Sequence, residues 1–511
     1  MKLERLTPVE LARRRKTRIW RLVLLAVGLA LIYWLVFVNE YVIAFEDDVA
    51  HFKYGSIGSE PASGLPLVVF QALPRLFEDR LGPMGYRRFG FLYEDGHDLP
   101  IGVSRRIVDG VERVWLNCSV CHTGTYRLGA QGERRLLVGA PSNELRLYEF
   151  IAFLREVATD SRFDADHLFQ AYRDTGGSLS WPQEIVYRYL VIDRVRDGLL
   201  RLREQLAFMD RQHPWGPGRV DTFNPYKAIQ FNFPLDARHI SAQELNGAAD
   251  YPSIWMQRPR QGMQLHWDGN NSSVQERNLS AALGAGVKPA SVDRGSIARI
   301  ERWMMDLPPP PFPAAPSGLD PALVAQGEPL YLQYCADCHG ARTADGYDYD
   351  RRRWSRLGRV EALESIGTDP GRLVSYTERF AGAQNLLYAR YPWRFRHFRK
   401  TDGYANQPLD GIWARSPYLH NGAVPTLRDL LEASAQRPVV YCRGGQDFDR
   451  VRVGYRAAVG DGRQAPACAG GEYLYDTRTM GNSNAGHEGL AYGTLLEPGR
   501  KDAIVEYMKT F

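Results

Sequence analysis

The stretch whose reading decides the fold is Cys118-Ser119-Val120-Cys121-His122, and it returns as Cys335-Ala336-Asp337-Cys338-His339. In this pattern the two thiols form thioethers to the vinyl groups of a haem, and the adjacent imidazole lies under the iron. With six cysteines and eleven histidines in 511 residues, random placement supplies about 0.002 such matches. The chain carries two. A structural zinc site would need both cysteine pairs in one place and would leave the neighbouring histidines unexplained. A redox dithiol more often stands alone, near a strand–helix–strand pattern. The expectation is two covalently bound haem c groups, attached at Cys118, Cys121, Cys335 and Cys338, with His122 and His339 as proximal iron ligands.

Working outward to the amino terminus, residues 1–18 form a basic leader and 22–38 run without a charge. Such a run suits a single membrane-spanning helix with flanking residues reaching the interface, so 19–41 reads as a transmembrane anchor. A cleaved signal peptide is the alternative, but its small-x-small site is missing from Tyr33-Trp34-Leu35-Val36-Phe37-Val38. The positive-inside bias then expects a single-pass protein of a bacterial inner membrane, with its haem domains in the periplasm. The net charge of +5 is small for this length and gives no support for a nucleic-acid partner.

Towards the carboxy terminus, Leu307-Pro308-Pro309-Pro310-Pro311-Phe312-Pro313 cannot be helix or central strand and reads as a stiff connector spanning 307–318. It separates a haem domain over 46–306 from one over 319–511. Apolar spacing near 3.6 predicts helices over 144–157, capped by Ser142 or Asn143, over 184–209, over 320–334 and over 498–510. Gly, Pro and aromatics are plentiful between them. The expected fold is mainly α: two class I cytochrome c-like domains of short helices and long loops, after one membrane helix. In the second domain a distal iron ligand belongs just ahead of the last helix. That favours His487, with His420 as the alternative and Met480 as an outside candidate. No position near the first motif declares itself a distal ligand. The loop at 215–224 offers the aromatic Phe223, and 265–271 brings His266 and Trp267 together. Cys442 and Cys468 remain once the haem motifs are counted; they pair as a disulfide in an oxidising compartment or stay as buried thiols.

These residues together resemble the bacterial di-haem cytochrome c peroxidase superfamily, and within it the branch of rubber oxygenases and di-haem fatty-acid dioxygenases. The resemblance rests on both haem motifs and on 215–224 (WGPGRVDTFN), 265–271 (LHWDGNN), 275–286 (QERNLSAALGAG), 417–422 with Pro425-Thr426-Leu427, and 481–487. It implies that the amino-terminal iron binds dioxygen or peroxide, with Phe223 as a distal aromatic, and that Trp267 stands between the haems. It also implies that the carboxy-terminal iron is six-coordinate, with His487 as distal ligand. The superfamily's peroxidases carry a histidine soon after the first motif, and none occurs here between His122 and His167. The implied activity is an oxidoreductase acting with dioxygen or peroxide on a substrate such as an unsaturated lipid, supplied by a redox partner protein or quinol-linked donor. The alternative is a pure electron-transfer cytochrome without substrate chemistry of its own.

Overall fold

Asp109 and Gly110 lie between two alternating runs, Val103–Val108 and Val111–Leu116. Both turn residues take positive φ, 51° and 72°. That backbone twist matches the twist of paired strands and closes a two-residue hairpin. The strands pair antiparallel from Val108 with Val111 to Val103 with Leu116. Two short strands, Tyr41–Val42 and Leu65–Pro66, extend the sheet on either side. In the computed structural model of the protein, which describes residues 7–33 and 40–511, this is the largest of seven small sheets.

The mainly-α expectation is therefore corrected. The fold is mixed, 42% helical and 13% strand. The physical reason is the pattern of β-branched and aromatic residues at period two, bounded by tight-turn residues, which competes successfully with helix before the first motif and after the second as well as between them.

The transmembrane expectation is corrected as well. The helix Pro8–Tyr33 does form, but its first half carries Arg13, Arg14, Arg15, Lys16, Arg18 and Arg21. Only the last three turns, from Leu22 onward, are free of charge. About 30 Å of hydrocarbon needs about 20 apolar residues. No helix among the described residues is long and apolar enough to cross a membrane, so the single-pass inner-membrane placement does not stand. The part of the expected anchor at 34–39 lies outside the described residues.

The helix Leu67–Leu76 packs on the first sheet, Ala165–Asp174 packs on that helix, and Leu147–Val157 joins the same core. Phe77, Phe89, Phe91, Phe150 and Phe153 interlock there with ring centres 5.1–5.8 Å apart. The expected caps do other work: Asn143 accepts from the Thr125 amide, and Ser142 from Leu145. Around the second motif, Pro321–Tyr334 starts at Asp320, whose carboxylate accepts from the Ala322 and Leu323 amides. It lies against Pro498–Met508 at very short range, because a Cβ on Gly327 would strike the Ala503 carbonyl. A three-stranded sheet centres on Val440–Arg443, and Cys442 is disulfide-bonded to Cys468. The proline-rich stretch is packed in place: Trp413 donates to the Pro310 carbonyl (2.8 Å), and Phe312 meets Trp413 edge-on. One core cluster takes Tyr126, Leu137 and Trp255 from before the prolines and Tyr331, Trp413, Phe448 and Tyr507 from after them.

Candidate functional site

Cys118–Val120 is a single tight turn, opened by Asn117, which accepts from the Ser119 amide (2.9 Å). From its end, His122 donates through Nδ1–H to the Pro252 carbonyl (2.9 Å). An acceptor that can only accept settles the tautomer, so Nε2 keeps its lone pair. Burial pulls the His122 imidazole down to about 4, which keeps it neutral at physiological pH. The second motif repeats the arrangement with other partners. Ala336–His339 is one helical turn, and His339 Nδ1–H donates to the Gln407 carbonyl (2.7 Å). All four motif thiols are free.

The two motifs differ in what faces them. The His487 ring centre stands 6.3 Å from that of His339. Two imidazoles bound to one metal by bonds of about 2 Å hold their centres at about that separation. His487 Nδ1 is buried without a hydrogen-bond partner, and burial takes the ring down to about 3. The loop that presents it is rigidly held. The His487 amide donates to Ile366 (2.7 Å). The buried Arg437 guanidinium donates to the carbonyls of Asn484 (2.5 Å), Gly486 (2.9 Å) and His487 (3.3 Å). Gly486, at φ 82°, lies so close to the Gly367–Thr368 backbone that no side chain fits. His420 is engaged elsewhere, stacked on Tyr404 at 4.1 Å with its Nε2 bonded to the Tyr404 hydroxyl (3.0 Å). Met480 is half-exposed beside Trp215 and Asn246.

Among the described residues no histidine ring stands against His122; its ring neighbour is Tyr251, 6.5 Å away. Cys118 instead borders an apolar cluster that contains Phe52, Phe223, Tyr226, Ile254 and Phe380. Phe223 is buried there, 4.8 Å from Tyr376 and 5.9 Å from Phe380, with the Arg372 guanidinium 4.4 Å over its ring. His266 is bonded to Asn270 through Nδ1 (2.6 Å).

Trp267 lies between the two halves. Its Nε1–H donates to the Asp250 carbonyl (2.8 Å), two residues from the Pro252 carbonyl that receives His122. Its own carbonyl accepts from the Ala405 amide (2.8 Å), two residues from the Gln407 carbonyl that receives His339. Its neighbour Asp268 accepts from Arg372 (3.0 Å), the same arginine that covers Phe223. Thus Phe223, Trp267 and the backing of both motif histidines form one bonded unit.

A haem is a dianion through its two propionates, and arginines that would balance such charge act on both motif histidines. Arg260 and Arg415 both bond the single buried carboxylate of Asp410. Asp410 Oδ2 and Arg415 Nε have no partner. Arg277, on the helix Val274–Gly284, has no carboxylate within ion-pair distance among the described residues, and its charge lowers His122 further; that of Arg415 does the same to His339. The free thiols, the fixed imidazoles, the orphaned His487 nitrogen and this surplus of positive charge fit the group.

Residues 403–442 match a family described as RoxA-like, cytochrome c-like. The matched segment contains Tyr404, Gln407, Asp410, Arg415 and His420. It supports a RoxA-like di-haem cytochrome branch, and a cytochrome c-like domain implies covalently bound haem c. Two uncharacterized proteins of Sinorhizobium fredii (strain NBRC 101917 / NGR234) are similar across longer stretches. The protein y4iJ is 25% identical over 519 residues, covering 83% of this chain and 84% of its own. The protein y4iM is 30% identical over 302 residues, 51% of this chain and 64% of its own.

Sequence reasoning missed Pro252, Gln407 and Arg437. The first two act through backbone carbonyls, which leave no mark in a sequence. Arg437 is a lone arginine whose role exists only once the loop folds over it.

Proposed function

We propose that the chain is a di-haem c-type cytochrome and an oxidoreductase, with a reactive haem at the first motif and an electron-transfer haem at the second. Each haem supplies a redox-active iron when bound. Cys118, Cys121 and His122 would hold one, and Cys335, Cys338 and His339 the other. His487 would supply a second imidazole to the latter and withhold it from small ligands. At the first, the rings packed against Phe223 among the described residues are Tyr376 and Phe380, neither of them an imidazole. This wall excludes water and admits a small neutral oxidant, dioxygen or peroxide, beside an apolar substrate such as an unsaturated lipid. Trp267 couples the two halves through the backing of His122 and His339, and a redox partner protein supplies electrons.

The observation that carries this reading is the asymmetry: an imidazole 6.3 Å from His339 and an aromatic wall at the other motif. Electron paramagnetic resonance of the purified protein should give one low-spin and one high-spin haem, with carbon monoxide binding to the reduced protein at one haem. Cys118→Ser with Cys121→Ser should abolish that binding and leave the low-spin signal. Two low-spin haems inert to carbon monoxide and peroxide would instead make the chain a pure electron carrier.

A further inference from the structure

The segment Asp350-Arg351-Arg352-Arg353-Trp354-Ser355-Arg356-Leu357-Gly358-Arg359 carries five arginines against one aspartate, in a chain whose whole net charge is +5. All five arginines are exposed. The segment is folded directly onto the second haem motif. Ser355 donates through its amide to the Asp337 carboxylate (2.7 Å), inside the motif, and the Arg356 amide donates to the Asp337 carbonyl (3.2 Å). Gly358 and Arg359 exchange backbone bonds with Asn406, next to the Gln407 that receives His339.

A second strand of the chain brings Arg399 to the same face. Its side chain bonds Gln264, whose carbonyl in turn accepts from Gln407 (2.9 Å). Between the two segments lies a groove of about 420 Å³ lined by Arg359, Arg399, Gln264, Thr401 and Asp402. Arg352, Arg353 and Arg356 have carboxylate partners in Asp350, Asp348 and Glu361. Arg351, Arg359 and Arg399 have none within ion-pair distance among the described residues. With Asp337, Asp348, Asp350, Glu361 and Asp402 on the same face, its positive excess is carried by the unpaired Arg351, Arg359 and Arg399 on the outer side of the His339 motif. It reaches beyond the groove along the whole loop, more than a small anion needs, and suits an extended acidic surface.

We infer that this face, built from Arg351, Arg352, Arg353, Arg356, Arg359 and Arg399, docks an acidic redox protein that exchanges electrons with the second haem. The inference rests on the proposed electron-transfer role of that haem. Steering by such a field raises association rates and is lost as salt screens it.

The test uses the full-length di-haem protein and its variant Arg352→Glu with Arg359→Glu and Arg399→Glu, all exposed positions. Reoxidation of the reduced His339 haem is followed by stopped flow with anionic ferricyanide and with cationic tris(phenanthroline)cobalt(III), and reduction of the oxidised haem with a reduced flavodoxin as acidic protein donor. For the parent protein, the ferricyanide and flavodoxin rates should fall with ionic strength. In the variant both should fall about ten-fold at low salt, while the cobalt rate rises and the haem spectra stay unchanged. Equal rates and equal salt dependence in parent and variant would overturn the inference. So would binding to phosphatidylglycerol vesicles or to duplex DNA with no response to flavodoxin. If the three-fold variant fails to fold, Arg399→Glu alone, whose side chain bonds Gln264 and no motif residue, carries the same comparison. A haem content of one per chain, measured as the pyridine haemochrome, would instead sink the di-haem reading itself.

Discussion

At the scale of single residues, His487 and His420 separate cleanly. Burial holds both rings neutral, but only His487 has its ring centre 6.3 Å from that of a motif histidine. His487→Ala should turn the low-spin haem into a high-spin or water-ligated one, read by electron paramagnetic resonance. His420→Ala should leave the spin state alone and cost about 1–3 kcal/mol, because the Tyr404 hydroxyl, which also donates to the Asp369 carbonyl, loses its second buried partner. The reverse pattern would move the ligand role to His420. Arg437→Gln keeps a polar donor on a shorter side chain but gives up some of the carbonyl bonds on the 484–487 loop. It should broaden the same low-spin signal without loss of covalent haem. Phe223→Ala removes the ring between Arg372 and Tyr376; carbon monoxide binding at the first haem should change in rate while the second haem's spectrum holds.

Among elements, the turn between Leu147–Val157 and Ala165–Asp174 is tied down by charge. Arg162 bonds both Asp160 (3.0 Å) and Asp79 (3.0 Å), and Arg80 also reaches Asp160 (2.8 Å). The arginine bonds hold the Asp160 carboxyl at about 2, below the usual value near 3.9. A depressed carboxylate favours the fold in its ionised form. Its contribution is present above about pH 4 and is lost as pH falls towards 2. Asp160→Asn should lower stability at pH 7 by about 1 kcal/mol, allowing for solvent screening, and thermal unfolding should show the difference shrinking between pH 4 and pH 2. A gap that persisted at pH 2 would assign the effect to packing. The Cys442–Cys468 bond closes a loop with a sequence separation of 26, which loop-closure entropy values at about 3 kcal/mol. Reduction, or the paired serine variant, should lower the unfolding temperature and leave both haem spectra in place.

For the whole molecule, Trp267 is one of the positions where the two halves meet through bonds, and the one that links the backing of both motif histidines. Trp267→Phe keeps an aromatic ring but removes the donor to the Asp250 carbonyl. Electron exchange between the haems, followed by stopped flow after partial reduction, should slow while each haem's own spectrum is kept. Unchanged exchange would show that the coupling runs through space or another route. The shared core explains why this contact is stable. Tyr126 and Trp255 pack in one cluster with Trp413 and Phe448, so the halves do not move apart without exposing buried aromatic surface.

Chemistry written in adjacent residues was legible from the chain alone. The Cys118 to His122 and Cys335 to His339 motifs need no partner from elsewhere to declare themselves, because thioether attachment and proximal ligation depend on spacing along one turn. The helices at 320–334 and 498–510 were readable for the same local reason, from a capping aspartate, first-turn prolines and apolar periodicity. The hairpin at Val103–Val108 and Val111–Leu116 was also written locally, in Asp109-Gly110 between alternating runs, although the expectation of long loops passed over it. Charge density along Pro8–Tyr33 likewise weighed against a span that the apolar run taken alone suggested. What stands opposite each motif histidine was decided only by the tertiary structure. His487 comes to His339 across 148 positions of chain, and Phe223 comes to the Cys118 cluster across 105, through contacts no spacing encodes. Pro252 and Gln407 orient the two imidazoles with carbonyls that every residue possesses, so only the folded backbone says which ones serve.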